Sequence, residues 1–203
     1  NRSDTAVADQ VWTATSATLS DFQGASSDFV KLATYTASDD ATLEMDGDFT
    51  ADYKTYLYVI NELVPATSNK TLYIRYRQSD SDQTASNYKY QIGQMYYDSG
   101  GSASITTEGG YNTTLAKITM GDGVNNLTEG CCGRIMLFNP LGTVARKYYT
   151  TEIFSQRTNE ETMQTRMGGG LYDANNTALS GITLYWDAGN ITSGTVSVYG
   201  LKP

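Results

Sequence analysis

Carboxylates are the most abundant side chains of this sequence that could carry chemistry. The 203 residues include 22 Asp and Glu but no His. Without His, the chain forms neither a Ser-His-Asp nor a Cys-His nucleophilic arrangement, nor an iron site of two His and one carboxylate. A glycosidase needs only two carboxylates, roughly 5 to 9.5 Å apart. No spacing singles out such a pair, so a glycoside hydrolase is the least favoured hypothesis and we predict that the chain is not an enzyme.

Three acidic segments deserve separate interpretation. Glu44 and Asp46 alternate in "ATLEMDGDFT", so on a strand they share one face, which we predict to be in water. Asp46–Lys54 and Gly121–Asn126 carry oxygen ligands at spacings that superficially suggest calcium. Neither has the 12-residue pattern with a closing Glu. We interpret both as turns, and we predict no metal and no cofactor.

The two cysteines are adjacent, at Cys131 and Cys132. Adjacent cysteines form only a strained ring with each other and cannot link distant segments. With no His in the chain, the usual zinc ligand sets are excluded. We therefore predict two small buried thiols, or thiols at a strand edge. Folding without disulfide support fits cytosolic assembly better than a disulfide-stapled secreted module.

Aromatic residues beside glycine-rich segments are the candidate ligand contacts. The chain has 16 Tyr, most of which suit a half-exposed sheet. Tyr111, Tyr172 and Trp186 lie in or beside Gly-rich loops, where Tyr and Trp side chains stack on sugars or anchor interfaces. We take these three as candidate glycan or ligand contacts. Six Asn-x-Ser/Thr sequons are also present, but the many Ser and Thr residues make accidental sequons expected.

The charge balance excludes several partners. The net charge is −8, and the scattered Lys and Arg form no basic stripe for phosphates, so we expect no nucleic acid partner. No apolar run approaches the roughly 20 residues of a membrane span, so we expect no membrane insertion. The first residues, "NRSDTAVADQ", have neither the basic nor the apolar part of a signal peptide.

Alternating segments between Gly-, Asp-, Asn- and Ser-rich turns predict an all-β protein with less than about a tenth helix. We expect an antiparallel, jelly-roll-like β-sandwich that forms a single domain over residues 1–203. In an alternative arrangement, the strands within residues 11–50 form a peripheral or assembly segment. Strands are predicted near residues 11–18, 28–36, 41–50, 55–63, 70–77, 87–97, 114–120, 133–139, 147–154, 163–167, 182–186 and 195–201.

Three local predictions follow from these patterns. The last two segments, in "ITLYWDAGNITSGTVSVYG", are predicted to pair as a β-hairpin, and residues 98–110, "DSGGSASITTEGG", are predicted to be a long exposed loop. In "YLYVINELV" alternation places Leu57, Val59 and Leu63 on the core face. The predicted core comprises Leu57, Val59, Leu72, Ile74, Ile135, Leu137, Val196 and Val198.

The opposite face of "YLYVINELV" carries Tyr56, Tyr58 and Ile60. In a two-layer sandwich only one face of a strand meets the core, and this second face is too apolar to stay fully wet. A covering loop, the N-terminal segment or a neighbouring chain would bury it. We expect these three residues to form an oligomer interface.

Two stretches resemble a known class of proteins. "DYKTYLYVINELVPATSNKTLYIRYRQSDSD", Asp52 to Asp82, resembles a segment that recurs in tail-fibre and other virion proteins of bacteriophages. It combines a Tyr-rich strand, a Pro-Ala-Thr turn and a Leu-x-Ile-Arg strand. The ending "SGTVSVYGLKP", Ser193 to Pro203, resembles the finish of the same domains. The segment "CCGRIMLFNP" departs from the resemblance.

The resemblance implies a structural protein of the virion. It would act as a tail-fibre or receptor-binding head, or as a capsid fibre or decoration protein. Its expected partners are other virion proteins, further copies of itself in a homo-oligomer such as a trimer, and a host surface glycan or receptor. The alternative hypothesis is a carbohydrate-binding module of a larger glycan-active enzyme, which the sandwich class and the loop aromatics would also suit.

Overall fold

The computed structural model describes residues 28–97, 100–120, 123–143, 146–156, 163–174 and 177–202. These residues form β-strands and contain no helix. The strands are β1 (Phe29–Asp40), β2 (Leu43–Asp46), β3 (Thr55–Pro65), β4 (Leu72–Gln78), β5 (Ser81–Asp82), β6 (Tyr88–Tyr97), β7 (Ala103–Thr113), β8 (Ala116–Lys117), β9 (Cys131–Phe138), β10 (Lys147–Gln156), β11 (Met163–Tyr172), β12 (Gly181–Trp186) and β13 (Ile191–Leu201).

Two antiparallel sheets pack as a sandwich. The larger sheet has the strand order β1-β13-β3-β9-β10-β11-β6-β7, and the smaller has β2-β12-β4-β5 with β8 also paired to β4. The pairs β1·β13, β2·β12, β3·β9 and β4·β8 are nested, first strand with last. Nested pairs that alternate between two sheets define a jelly roll, so the predicted fold class is confirmed.

Four strands extend the larger sheet beyond this jelly roll. In the sequence, the hairpin β6–β7 is inserted between β4 and β8, and the hairpin β10–β11 is inserted between β9 and β12. Together they continue the sheet past β9 in the order β10-β11-β6-β7. We call these four strands the extension. They carry most of the large apolar side chains that remain exposed.

The core lies between the two sheets and follows their inward alternation. Six of the predicted core residues are confirmed, each at most 1% exposed: Leu72, Ile74, Ile135, Leu137, Val196 and Val198. Several buried tyrosines share this space. Tyr76, Tyr88 and Tyr172, for example, have ring centroids 4.9–6.1 Å apart.

The predicted orientation of β3 is correct for Leu63, which is 0% exposed, and wrong for the part of the strand before it. Tyr56, Tyr58 and Ile60 point into the core, at 0%, 0% and 1% exposure, whereas Leu57 and Val59 are only partly buried on the outer face. The register of β3 with β9 shifts between Ile60 and Leu63. Because of this bulge, Ile60 and Leu63 lie on the same face although they are three positions apart. Strict alternation counted back from Leu63 therefore assigns Leu57 and Val59 to the core face, whereas they lie on the outer face.

The last two strands do not form the predicted hairpin. β12 pairs with β2 and β4 in the smaller sheet, and β13 pairs with β1 and β3 in the larger one. The turn between them therefore carries the chain from one sheet to the other. Short alternating runs around a Gly-rich turn have the same pattern in both arrangements, so the pattern alone did not separate them.

The predicted loop at residues 98–110 is also corrected. From Ala103 onward it is β7, paired with β6 along its length. Gly109 and Gly110 suggested a loop, but a side chain at Gly110 would collide with the ring of Tyr90, so a glycine serves close packing there. The strand predicted at 114–120 shortens to β8. The candidate strand at 11–18 lies outside the described residues, and the single-domain assignment stays a prediction.

Candidate functional site

The structure separates the three aromatic residues predicted as ligand contacts. Tyr111 on β7 is 74% exposed, whereas Tyr172 and Trp186 are each 3% exposed within the core. The rings of Tyr172 and Trp186 are therefore inaccessible to a ligand in this structure, since each occupies an inward position of its strand. Tyr111 remains a candidate contact.

The face predicted as an oligomer interface is covered by the protein itself. Tyr56, Tyr58 and Ile60 pack against the smaller sheet as part of the core. The Tyr56 hydroxyl donates to the Thr50 carbonyl at 2.9 Å and accepts from the Thr50 amide at 2.8 Å. These three residues do not present a surface to a neighbouring chain, and the predicted interface is corrected on this point.

The outer face of the smaller sheet carries a polar network centred on Arg77. Arg77, 5% exposed, pairs with Glu44 and Asp82 at 2.9 Å and with Asp46. Glu44 and Asp46 share a face as predicted, but that face is not simply solvated, because both carboxylates pair with Arg77. The charges on this face satisfy one another.

The outer face of the extension carries most of the exposed large apolar side chains of the described residues and is the candidate interaction surface. Alternation and register place eight exposed apolar residues on it: Met95, Tyr97, Ile105, Tyr111, Tyr148, Phe154, Met163 and Met167. Its charged side chains in the extension strands are Lys89 and Glu152, and Glu152 pairs with Arg134 of β9 at 2.6 Å. A surface with this many exposed apolar side chains is typical of a contact site.

Several grooves lie on this surface, and in two of them glycines replace larger side chains. One, of about 570 Å³, runs over Gly93, Gly109 and Gly168 beside Met167. The other, of about 390 Å³, is lined by residues that include Tyr148 and Gly170. Side chains at Gly168 or Gly170 would collide with β6 carbonyl oxygens. The run "MGGG" therefore makes the extension both closely packed and grooved.

Tyr111 lies at the end of this surface, beside the charged side chain of Lys89. The Lys89 ammonium lies 4.8 Å from the centroid of the Tyr111 ring, a cation–π distance. Lys89 also pairs with Asp173, which pairs in turn with Arg146. Hydrogen bonds from Lys89 and Arg146 hold the pKa of Asp173 below its usual value. The result is an exposed aromatic ring with an ordered cation beside it.

The cysteines occupy two different environments. Cys131 is buried in the core, and burial raises the pKa of its thiol to about 12, so it is a poor nucleophile at neutral pH. Cys132 is partly exposed on the outer face, and its Sγ accepts a hydrogen bond from the Glu62 amide. The prediction of a buried thiol is confirmed for Cys131.

Sequence reasoning missed a buried polar cluster around Arg166. This side chain is 0% exposed and donates to Gln94 Oε1 and Ser155 Oγ, each at 2.7 Å, and to the Met120 carbonyl at 3.1 Å. These bonds tie the segment after β8 to the inner face of the extension. The signal was weak, because a lone Arg in "MQTRMGGG" is ordinarily read as solvent-facing.

Two classes of feature are absent from the described ranges. In them, no group of three or more His, Cys, Asp or Glu side chains is arranged to bind a metal ion. The described residues also contain no helix with the length and apolar character needed to cross a membrane.

Comparisons with known proteins add little. The chain matches no protein-family model and no curated protein. Among solved structures, it is similar to a chain in the "Structure of infectious bursal disease virus Gt strain", with 13% sequence identity and a TM-score of 0.15. The match covers 84% of this chain and 42% of that one. A TM-score this low carries no argument about fold or function.

Proposed function

We propose that this chain is a non-enzymatic structural protein of a bacteriophage particle. It would be displayed as a tail-fibre or receptor-binding head, or as a capsid fibre or decoration protein. The observation that carries this proposal is that the two stretches resembling virion proteins are neighbours in space. Asp52–Asp82 contains β3 and β4, and Ser193–Pro203 contains most of β13, which pairs with β3 from Thr55↔Leu201 to Val64↔Ser193.

The residues of these motifs fit one another physically. β3 bulges around Asn61 and Glu62, where Glu62 has a φ of 50°. Opposite this bulge stands Gly194, with a φ of 125°, at which a Cβ would lie 2.5 Å from the Glu62 carbonyl oxygen. Gly is the residue that tolerates both conditions. The "SGT" motif therefore accommodates the bulge of the other stretch.

The second motif glycine has a similar role. A Cβ at Gly200 would lie 2.5 Å from the Tyr53 ring, so the "YG" pair lets this aromatic side chain cover the end of β13. Pro65 ends β3 opposite Ile191. The two stretches thus form one structural unit, the adjacent strands β3 and β13 of the larger sheet together with β4 of the smaller sheet. This supports a shared jelly-roll domain. Fold alone does not determine function, and the virion assignment rests on the sequence resemblance.

The outer face of the extension supplies the contact surface that a displayed protein requires. Aromatic and Met side chains are enriched in the cores of protein interfaces, and this face carries both. The smaller sheet is an unsuitable contact face, because Arg77 and its carboxylates already satisfy one another. We therefore assign contacts with neighbouring virion proteins, or with a host receptor, to the extension.

Carbohydrate binding is the second candidate function. It is favoured by the exposed Tyr111 ring, which lies beside a groove and a fixed ammonium group. Aromatic rings stack on sugars, and Lys89 would donate hydrogen bonds to hydroxyl groups. Glycan-array binding by the chain that disappears in Tyr111→Ala, but persists in Tyr148→Ala, would favour this function.

The proposed function is tested on purified phage particles. Quantitative mass spectrometry across a density gradient should recover this chain in the particle fraction at a fixed ratio to the major capsid protein. A high-salt wash serves as the control, because it removes adsorbed proteins. Loss of the chain in the wash, or its absence from the particle fraction, would overturn the proposal.

A further inference from the structure

The two edges of the larger sheet differ in how they are protected. β1 forms one edge and has a β-bulge between Lys31 and Ala33, together with charged residues at both ends. β7 forms the other edge, and no strand of the described chain pairs with its outer side. Sheet edges are normally blunted by bulges, charges or Pro, because free backbone groups recruit further strands. β1 has these features and β7 largely lacks them.

β7 is unusually receptive to another strand. From Ala103 to Tyr111 it is regular, and its register shift with β6 falls at the far end, beside Asn112. It contains no Pro or Lys. Its one charged residue, Glu108, pairs with Lys117 of the same chain. This edge is therefore close to neutral, although the chain carries a net charge of −8.

We propose that β7 pairs antiparallel with β7 of a second copy of this chain, about a two-fold axis at Thr107. Equivalent strands related by a two-fold axis form an isologous contact. The larger sheets of the two copies then join into one continuous sheet, with both extensions facing the same side. The occupant is a second copy because the sequence of β7 is complementary to its own reverse.

That complementarity appears in the outward-facing pairs. Thr107 lies opposite Thr107 of the second copy, a favourable cross-strand pair. Ile105, 73% exposed, lies opposite Gly109 of the second copy, and Tyr111 lies opposite Ala103. Each large side chain therefore meets a small one. A register centred on Glu108 would instead oppose two carboxylates, which is unfavourable.

The contact also explains the most exposed apolar residues. Ile105 and Tyr111 are the two most exposed large apolar side chains of the described chain, and both are on β7. Pairing places each beside a second strand. A single strand pair buries less than the roughly 1,200 Å² of a standard interface, so the dimer is expected to be weak and reversible in solution. Multiple copies on a particle would strengthen it.

Sedimentation velocity of the full chain over a wide concentration range tests this contact. The weight-average mass should rise from 22.1 kDa toward twice that value. Thr107→Lys and Thr107→Glu should each weaken dimerisation by about fivefold, because identical charges then face each other at the axis. An equimolar mixture should restore association, since Lys then faces Glu. Thr36→Lys, an exposed position on β1, is the matched control and should dimerise like the wild type.

Three results would overturn the proposal. They are a monomer at every concentration, equal dimerisation of the wild type and both Thr107 variants, and dissociation by Thr36→Lys. Because Thr107 is exposed on β7, both variants should retain the wild-type melting temperature. Solution mass does not depend on where the protein resides, so the self-contact and the virion assignment can fail separately.

Discussion

Tyrosine hydroxyls in the core should make this protein sensitive to alkali. Tyr58, Tyr76 and Tyr149 are buried between the sheets, and their hydroxyls have no hydrogen-bond partner among the described residues. Burial is the main cause that raises the pKa of each well above the usual value of 10. The folded protein therefore keeps these three protons at a pH at which the unfolded chain has released them.

The sign and size of the effect follow from proton linkage. Below pH 10 both states are protonated, and the full stability is present. As the pH rises above 10, the unfolded state binds fewer protons, so the free energy of unfolding falls. Each tyrosine contributes a slope of about 1.4 kcal/mol per pH unit, and three contribute about 4 kcal/mol per unit. Against a typical stability of about 5–15 kcal/mol, we expect unfolding between about pH 11 and 14.

Urea unfolding followed by circular dichroism at a series of pH values measures this slope. Tyr58→Phe should reduce it by about 1.4 kcal/mol per pH unit, because one titrating group is removed. Leu57→Ala is the control, because it changes the packing of β3 without removing a titrating group, and it should leave the slope unchanged. A wild-type slope in Tyr58→Phe would refute the placement of Tyr58 in the core, and with it the assigned phase of β3.

Three further predictions concern packing and reactivity. Leu72→Ala should lower the free energy of unfolding by about 2–5 kcal/mol, while Leu57→Ala on the outer face should cost less than half as much; equal losses in urea titrations would contradict the bulge in β3. Gly200→Ala should lower the melting temperature by displacing an aromatic ring, and an unchanged melting temperature would contradict that contact. Cys132 should react with a maleimide in the folded protein and Cys131 only after unfolding, as peptide mass spectrometry would show; equal labelling would be inconsistent with the burial of Cys131.

Local patterning predicted the fold class because turn residues and alternation are local signals. The segments around Leu72, Ile135 and Val196 alternate without interruption, so their inward faces could be assigned from the sequence. The prediction for β3 was wrong because the bulge at Asn61 and Glu62 changes, within one strand, which alternate residues face the core. No local rule marks that bulge, since its cause is the pairing with Gly194, which lies far away in sequence.

The candidate site was less predictable for a related reason. Whether an aromatic residue beside glycine is exposed depends on which face of the sheet its position in the strand gives it. Tyr172 and Tyr111 have similar neighbours in sequence, yet one is in the core and the other is on the edge strand. Met163 and Met167 gave the missed signal, since the apolar residues at this end of β11 alternate on the outer face while the inner face carries Gln164 and Arg166.

The most direct test of the central claim is electron cryo-microscopy of intact particles labelled with an antibody against this chain. An antibody that recognises the outer face of the smaller sheet is preferred, because it leaves the extension free. The account predicts label at regular positions on the particle surface, on either the capsid or the tail. Particles that carry no label, when the same antibody binds the purified chain, would contradict the assignment to the virion.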